Sequence, residues 1–103
     1  MNNQNKDNII DISDYKKGMD IPKGKKYKFK VGRNSFISDS ECMKSKDILT
    51  MAGKIPYTNH RLFQNFHGGE SKSLDYEDII CFTEPGIEKF RTIPTDPTDG
   101  DHT

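Results

Sequence analysis

The sequence predicts an α+β fold in a single domain, with a small mixed sheet covered by one main helix. Three observations predict it. The stretch "KKYKFKVG" alternates Tyr27, Phe29 and Val31 with lysines at the two-residue period of a half-buried strand. The stretch "SKDILTMAGKIP" holds one short helical pattern between a start and a stop signal. After it, "RLFQNF" and "IEKFRTI" return to strand character.

Each element has its own local reason. Gly32-Arg33-Asn34 turns the chain after the first strand, and Ser35-Phe36-Ile37-Ser38 continues as its hairpin partner. In the helix, near 44 to 54, Ser45 suits the N-cap and Ile48, Leu49 and Ala52 share one face. Gly53 suits the position just past the end, and Pro56 forbids continuation. His67-Gly68-Gly69-Glu70 is a tight turn, followed by a short strand over Ser71 to Leu74. "LDYEDIICF" begins as a polar, turn-like element and ends apolar. The last strand places Phe90 on one face and Lys89, Arg91 and Ile93 on the other. Two strands, one helix and then strands again is the order of a β-grasp, in which the first and last strands lie side by side and parallel.

The domain occupies residues 25–94. Residues 1–24, rich in Asn, Lys and Asp and closing on Pro22 and Gly24, have the composition of a flexible leader. Within it, "NIIDISDY" admits two readings: plain disorder, or a short docking segment that orders by adding to a sheet edge through Ile9, Ile10, Ile12 and Tyr15. Residues 95–103 form a polar, flexible C-terminal tail.

Composition narrows the function. Hydrophobic residues make up 31% of the 103 positions, enough for one small core with little left to build an enzyme's cavity. Sixteen basic and sixteen acidic side chains cancel, which removes the broad positive field of a nucleic-acid binder. No apolar stretch approaches a membrane span and no secretory signal opens the chain, so the expected setting is the cytoplasm, with neither nucleic acid nor membrane as partner. Cys42 and Cys81 can form at most one bridge. Read singly, Cys81 is a small buried thiol in an apolar run, and Cys42 is a thiol ahead of a helix with no base supplied to it. His60, His67 and His102 fall in turns and the tail, without metal-ligand spacing, so neither metal nor cofactor is expected.

The combination of "YKFKV", "SKDIL" followed by "AGK", "RLFQ", a Gly-Gly turn, "LDYED" and "PGIEKFRTIP" resembles the bacterial multiubiquitin family. These are ubiquitin-like β-grasp proteins of bacterial ubiquitination-like operons, and the likeness covers about residues 25 to 100. No internal repeat is present, so the chain looks like a single-copy member. The resemblance implies a protein modifier with no catalysis of its own. Its terminal glycine would match Gly100, and the extension removed by a processing peptidase would match Asp101, His102 and Thr103. An E1-like enzyme would activate the freed carboxylate with ATP, and an E2-like carrier would pass it to a target. The operon setting of the family suggests defence against phage.

A physical reason for glycine stands beside the resemblance. A carboxylate that threads a narrow channel, accepts AMP and is then attacked needs a backbone without Cβ. Thr95-Asp96-Pro97-Thr98-Asp99 is polar and extended near Pro97, as such a lead requires. Eukaryotic relatives of this fold commonly end in Gly-Gly after a basic tail, whereas Asp99 precedes a single glycine here, so their enzyme contacts do not carry over. Two other classes of function compete. One is a β-grasp adaptor that binds partners without conjugation. The other is a sulfur carrier with a C-terminal thiocarboxylate, for which the missing Gly-Gly is a poor fit.

Strand alternation also singles out a face. If Leu62 and Phe66 point at the helix, Phe63 points away, as does Ile93 if Phe90 is inward. Phe63 and Ile93 then either form an apolar docking patch with Lys89 and Arg91 as a charged rim, or tuck under a loop or the leader.

Overall fold

The computed structural model describes residues 9–23 and 26–95. Its strands are β1 (Ile9–Asp11), β2 (Lys26–Val31), β3 (Asn34–Ser38), β4 (Cys42–Lys44), β5 (His60–Phe66), β6 (Ser71–Leu74), β7 (Ile79–Cys81) and β8 (Ile87–Pro94), with one α-helix, α1 (Ser45–Met51). A six-stranded mixed sheet runs β1-β2-β8-β5-β6, with β3 paired to β2, and β4 and β7 form a separate two-stranded ribbon. The α+β architecture, a mixed sheet with one helix, is the one expected.

The inward faces follow from alternation. Tyr27, Phe29 and Val31 of β2, Leu62 of β5, Leu74 of β6 and Phe90 of β8 are buried against Ile48 and Leu49 of α1. Phe29 stacks on Phe82 at 4.8 Å between ring centroids and meets Phe90 edge-on at 5.9 Å. Such aromatic pairs add about 0.5–1.5 kcal/mol beyond the area they bury.

β2 and β3 form the expected hairpin, but on a tighter turn: Asn34, read from the sequence as a turn residue, already pairs with Val31, and Tyr27 lies opposite Ser38. The first and last main strands are parallel neighbours, yet they pair only at Val31 opposite Phe90, reinforced by Gly32 N–H donating to the Phe90 carbonyl at 2.8 Å. The remainder of that edge of β2 is taken. β3 lines one edge of β2 from Tyr27 to Val31, so β1, parallel to β2 and opposite Lys26 to Lys28, occupies the other.

For residues 9–23 this corrects the reading of 1–24 as a flexible leader; residues 1–8 and 24 lie outside the described residues. From Ile9 the chain is a strand and then a 3₁₀ turn, Ile12–Asp14, with Ile10, Ile12 and Ile21 buried in the core. The second reading of "NIIDISDY" describes it better, except that the sheet edge belongs to the same chain. The segment is also stitched to the far side of the split. Gly86 N–H donates to the Tyr15 carbonyl at 2.8 Å, and His67 Nε2 meets the Ser13 carbonyl at 2.8 Å. Gly86 has a φ of +108°, and a Cβ there would lie 3.0 Å from Lys17 Cγ, so glycine allows the close approach.

The helix is shorter than expected and capped differently. Lys44, not Ser45, is the N-cap, and no side chain caps the turn. Ser45 N–H and Lys46 N–H instead donate to the backbone carbonyls of Asp78 and Tyr76, at 2.8 and 3.1 Å. The Ser45 hydroxyl is buried without a partner among the described residues. At the other end Gly53, with φ +82°, donates to the Thr50 carbonyl while Lys54 N–H reaches the Leu49 carbonyl at 2.9 Å, the paired pattern of a Schellman stop. Glu77 receives Lys44 and Lys46 at 3.0 and 2.7 Å, and hydrogen bonds from these two ammoniums hold its carboxyl below the usual carboxylate range.

The cysteines are not free. Cys42 of β4 lies opposite Cys81 of β7, and the two form a disulfide with an Sγ–Sγ distance of 2.05 Å. The separate readings of Cys81 as a buried thiol and Cys42 as an isolated thiol are both overturned, because a three-residue strand brings them face to face. On the chain-entropy account, a crosslink closing a loop of this length stabilises the fold by about 4 kcal/mol.

The placement of Ile12 generates a test. Ile12→Ala should cost about 2–5 kcal/mol, as for other buried isoleucines, and lower Tm by about 10 °C or more. Removing residues 1–20 should destabilise the domain at least as much. Thermal unfolding unchanged by either would return this segment to the status of a leader.

Candidate docking face and the root of the tail

With one face of the sheet closed by α1, alternation fixes the other. Leu62 and Gln64 are buried, so Arg61, Phe63 and Asn65 point outward from β5, where they lie opposite Ile93, Arg91 and Lys89 of β8. Lys28 and Lys30 point outward from β2 on the same reasoning. Phe63, Ile93, Arg91 and Lys89 therefore share the face opposite α1, with Phe63, Arg91 and Lys89 half-buried. Ile93 remains 40% exposed.

The face is locally ordered. The Arg91 guanidinium sits over the Phe63 ring, 4.4 Å from its centroid, and one of its nitrogens approaches Ser71 Oγ at 3.4 Å. Ser71 Oγ in turn donates to Asn65 Oδ1 at 2.9 Å. Arg61 turns to the sheet edge, donating to the Leu74 carbonyl at 3.0 Å and pairing with Asp75 at 3.2 Å. Among the described residues Lys28, Lys30, Lys89 and Arg91 enter no ion pair.

The end of β8 is anchored at the edge of this face. Thr95 N–H donates to the Asn59 carbonyl at 2.9 Å and Thr95 Oγ1 to the Thr58 carbonyl at 3.1 Å. The chain thus leaves the sheet from a fixed point two residues after Ile93. Gly100, Asp101, His102 and Thr103 lie outside the described residues.

Sequence reasoning missed the polar cleft where β2 and β8 part. It has a volume of about 460 Å³ and is lined by Ser13, Lys30, Gly32, Arg33, His67, Glu88 and Lys89. Lys30 and Lys89 were visible as outward residues, but nothing local announces that their strands diverge. Among the described residues no cluster of three or more His, Cys, Asp or Glu side chains is placed to hold a metal ion. No described helix is long and apolar enough to cross a membrane.

No family model matches the chain, and neither curated proteins nor solved structures give a match.

Adjacent residues test the assignment of faces. Leu62→Ala should cost about 2–5 kcal/mol, whereas Phe63→Ala should cost about 1 kcal/mol, the scale of an exposed cation–π contact with some lost packing. Equal losses in denaturant titrations would place Phe63 in the core and remove it from the surface.

Proposed function

We propose that the chain is a ubiquitin-like protein modifier of β-grasp fold, acting in a bacterial ubiquitination-like pathway. A peptidase trims it after Gly100, an E1-like enzyme activates the Gly100 carboxylate with ATP, and an E2-like carrier transfers it to a target. Phe63 and Ile93, rimmed by Lys89 and Arg91, form the surface that the activating and carrier enzymes engage. The chain itself performs no chemistry.

One observation carries this reading. The strand that leads to Gly100 lies between β2 and β5, carries two of the rim residues and Ile93 on its open face, and is pinned at Thr95. An enzyme gripping that face has the start of the tail at a fixed distance. From Thr95 to Gly100 an extended chain reaches about 17 Å, enough to enter a channel beside the gripped face.

The cytoplasm is the setting proposed, with defence against phage as the context the resemblance suggests. Thiols there are generally kept reduced, so the Cys42–Cys81 bridge is an unusual feature for that setting.

A form ending at Gly100 should make an ATP-dependent covalent adduct with the E1-like partner without peptidase, while the 103-residue chain should need cleavage first. Gly100→Ala should slow activation by about a hundredfold, the scale of an ångström misplacement at a reacting centre. Tm should not change, which separates lost activation from lost folding. Activation of the chain with Thr103 still attached, or equal activation of Gly100→Ala, would remove Gly100 from the mechanism and favour an adaptor that only binds.

A further inference from the structure

We propose that the open face and the cleft beside it bind an extended, carboxylate-rich polypeptide segment. The segment's acidic side chains pair with Lys30, Lys89 and Arg91, and an apolar side chain seats against the exposed Ile93. This rests on the reading of the face as a docking surface, but not on conjugation at Gly100.

The charges make the case. Lys30 and Lys89 project to the same side of neighbouring parallel strands, one residue before the paired Val31 and Phe90. Like charges so placed repel unless an anion lies between them. Arg33 adds a third cation to the cleft, against the single carboxylate of Glu88. His67 has one ring nitrogen occupied by the Ser13 carbonyl. Among the described residues Lys30, Arg33, Lys89 and Arg91 have no carboxylate partner.

The geometry selects the type of anion. From Lys89 to Ile93 the strand advances about 13 Å, so the cleft, Arg91 and Ile93 lie along one line that four or five extended residues span. A segment of alternating acidic and apolar residues matches that order of cation, guanidinium and apolar anchor. A single-stranded nucleic acid fits less well. Nucleobases need an open aromatic face on which to stack, and the Phe63 ring is already covered by the Arg91 guanidinium. With sixteen acidic residues against sixteen basic, the chain also lacks the broad positive field that tracks a phosphate backbone.

The test is fluorescence polarisation of the purified chain with a fluorescein-labelled octapeptide of glutamates and two leucines. Probes of the same length, one with glutamine for glutamate and one an oligothymidylate, serve as comparisons. The acidic peptide should bind best, and its binding should weaken as salt rises. The double variant Lys30→Glu with Lys89→Glu should lose about tenfold or more in affinity, as should Arg91→Glu, with Tm nearly unchanged because Lys30 is exposed and Lys89 and Arg91 lie outside the core. The glutamine peptide binding equally, or charge reversal leaving affinity unaltered in folded protein, would overturn the proposal. Tighter binding of oligothymidylate would overturn it in favour of nucleic acid. If the acidic peptide fails while Phe63→Asp still blocks formation of the E1-like adduct, the docking face survives and this partner chemistry does not.

Discussion

A helix of seven residues is about 10 Å long, whereas the eight-residue strand β8 runs for about 26 Å. That mismatch governs the molecule. α1 can bury Ile48 and Leu49 against the sheet and little more, so other segments must cover the rest of the inward face. Phe82, just after β7, stacks on Phe29 and covers the middle. Ile10, Ile12 and Ile21 are buried in the same cluster. The disulfide between Cys42 and Cys81 joins β4, next to α1, to β7, next to Phe82, so the two covering pieces are tied to one another.

The same constraint shapes the surface. Because β1 takes the first half of an edge of β2, β8 can meet β2 only at Val31, and the parted strands leave the cleft lined by Lys30 and Lys89. The helix and Phe82 cover the inward side. The opposite side keeps Phe63, Ile93 and a set of cations that have no carboxylate partner among the described residues, and β8 leads beside them into the anchored Thr95. Closing one face with short pieces and leaving the other free gives the surface on which the proposed function depends.

Much of this was legible because it is periodic. The alternation in RLFQNF and in IEKFRTI announced their faces without any knowledge of partners, and so placed Phe63, Lys89, Arg91 and Ile93 together. Gly53 marked the end of α1 through a local backbone requirement. What was illegible is long-range or short. β1 and β4 have three residues each, too few to display a period, and β1 lies in a polar stretch whose average conceals Ile10 and Ile12. The bridge depends on β4 meeting β7 across 39 positions, and the start of α1 depends on carbonyls of Tyr76 and Asp78 about thirty residues away. Neither leaves a mark in the neighbouring sequence. The role of Gly100 comes from resemblance and from the chemistry of an activated carboxylate, and its position lies beyond the described residues.

The central claim, that Gly100 is a point of attachment, is tested most directly by intact mass spectrometry of the protein isolated from its native cells. The account predicts a species lacking Asp101, His102 and Thr103, together with heavier conjugates whose digestion yields a target peptide carrying a remnant that ends in Gly100. A population consisting only of chains with Asp101 still joined to Gly100 would contradict it. So would a terminal carboxylate that has exchanged oxygen for sulfur, which would mark a carrier of sulfur instead of a modifier.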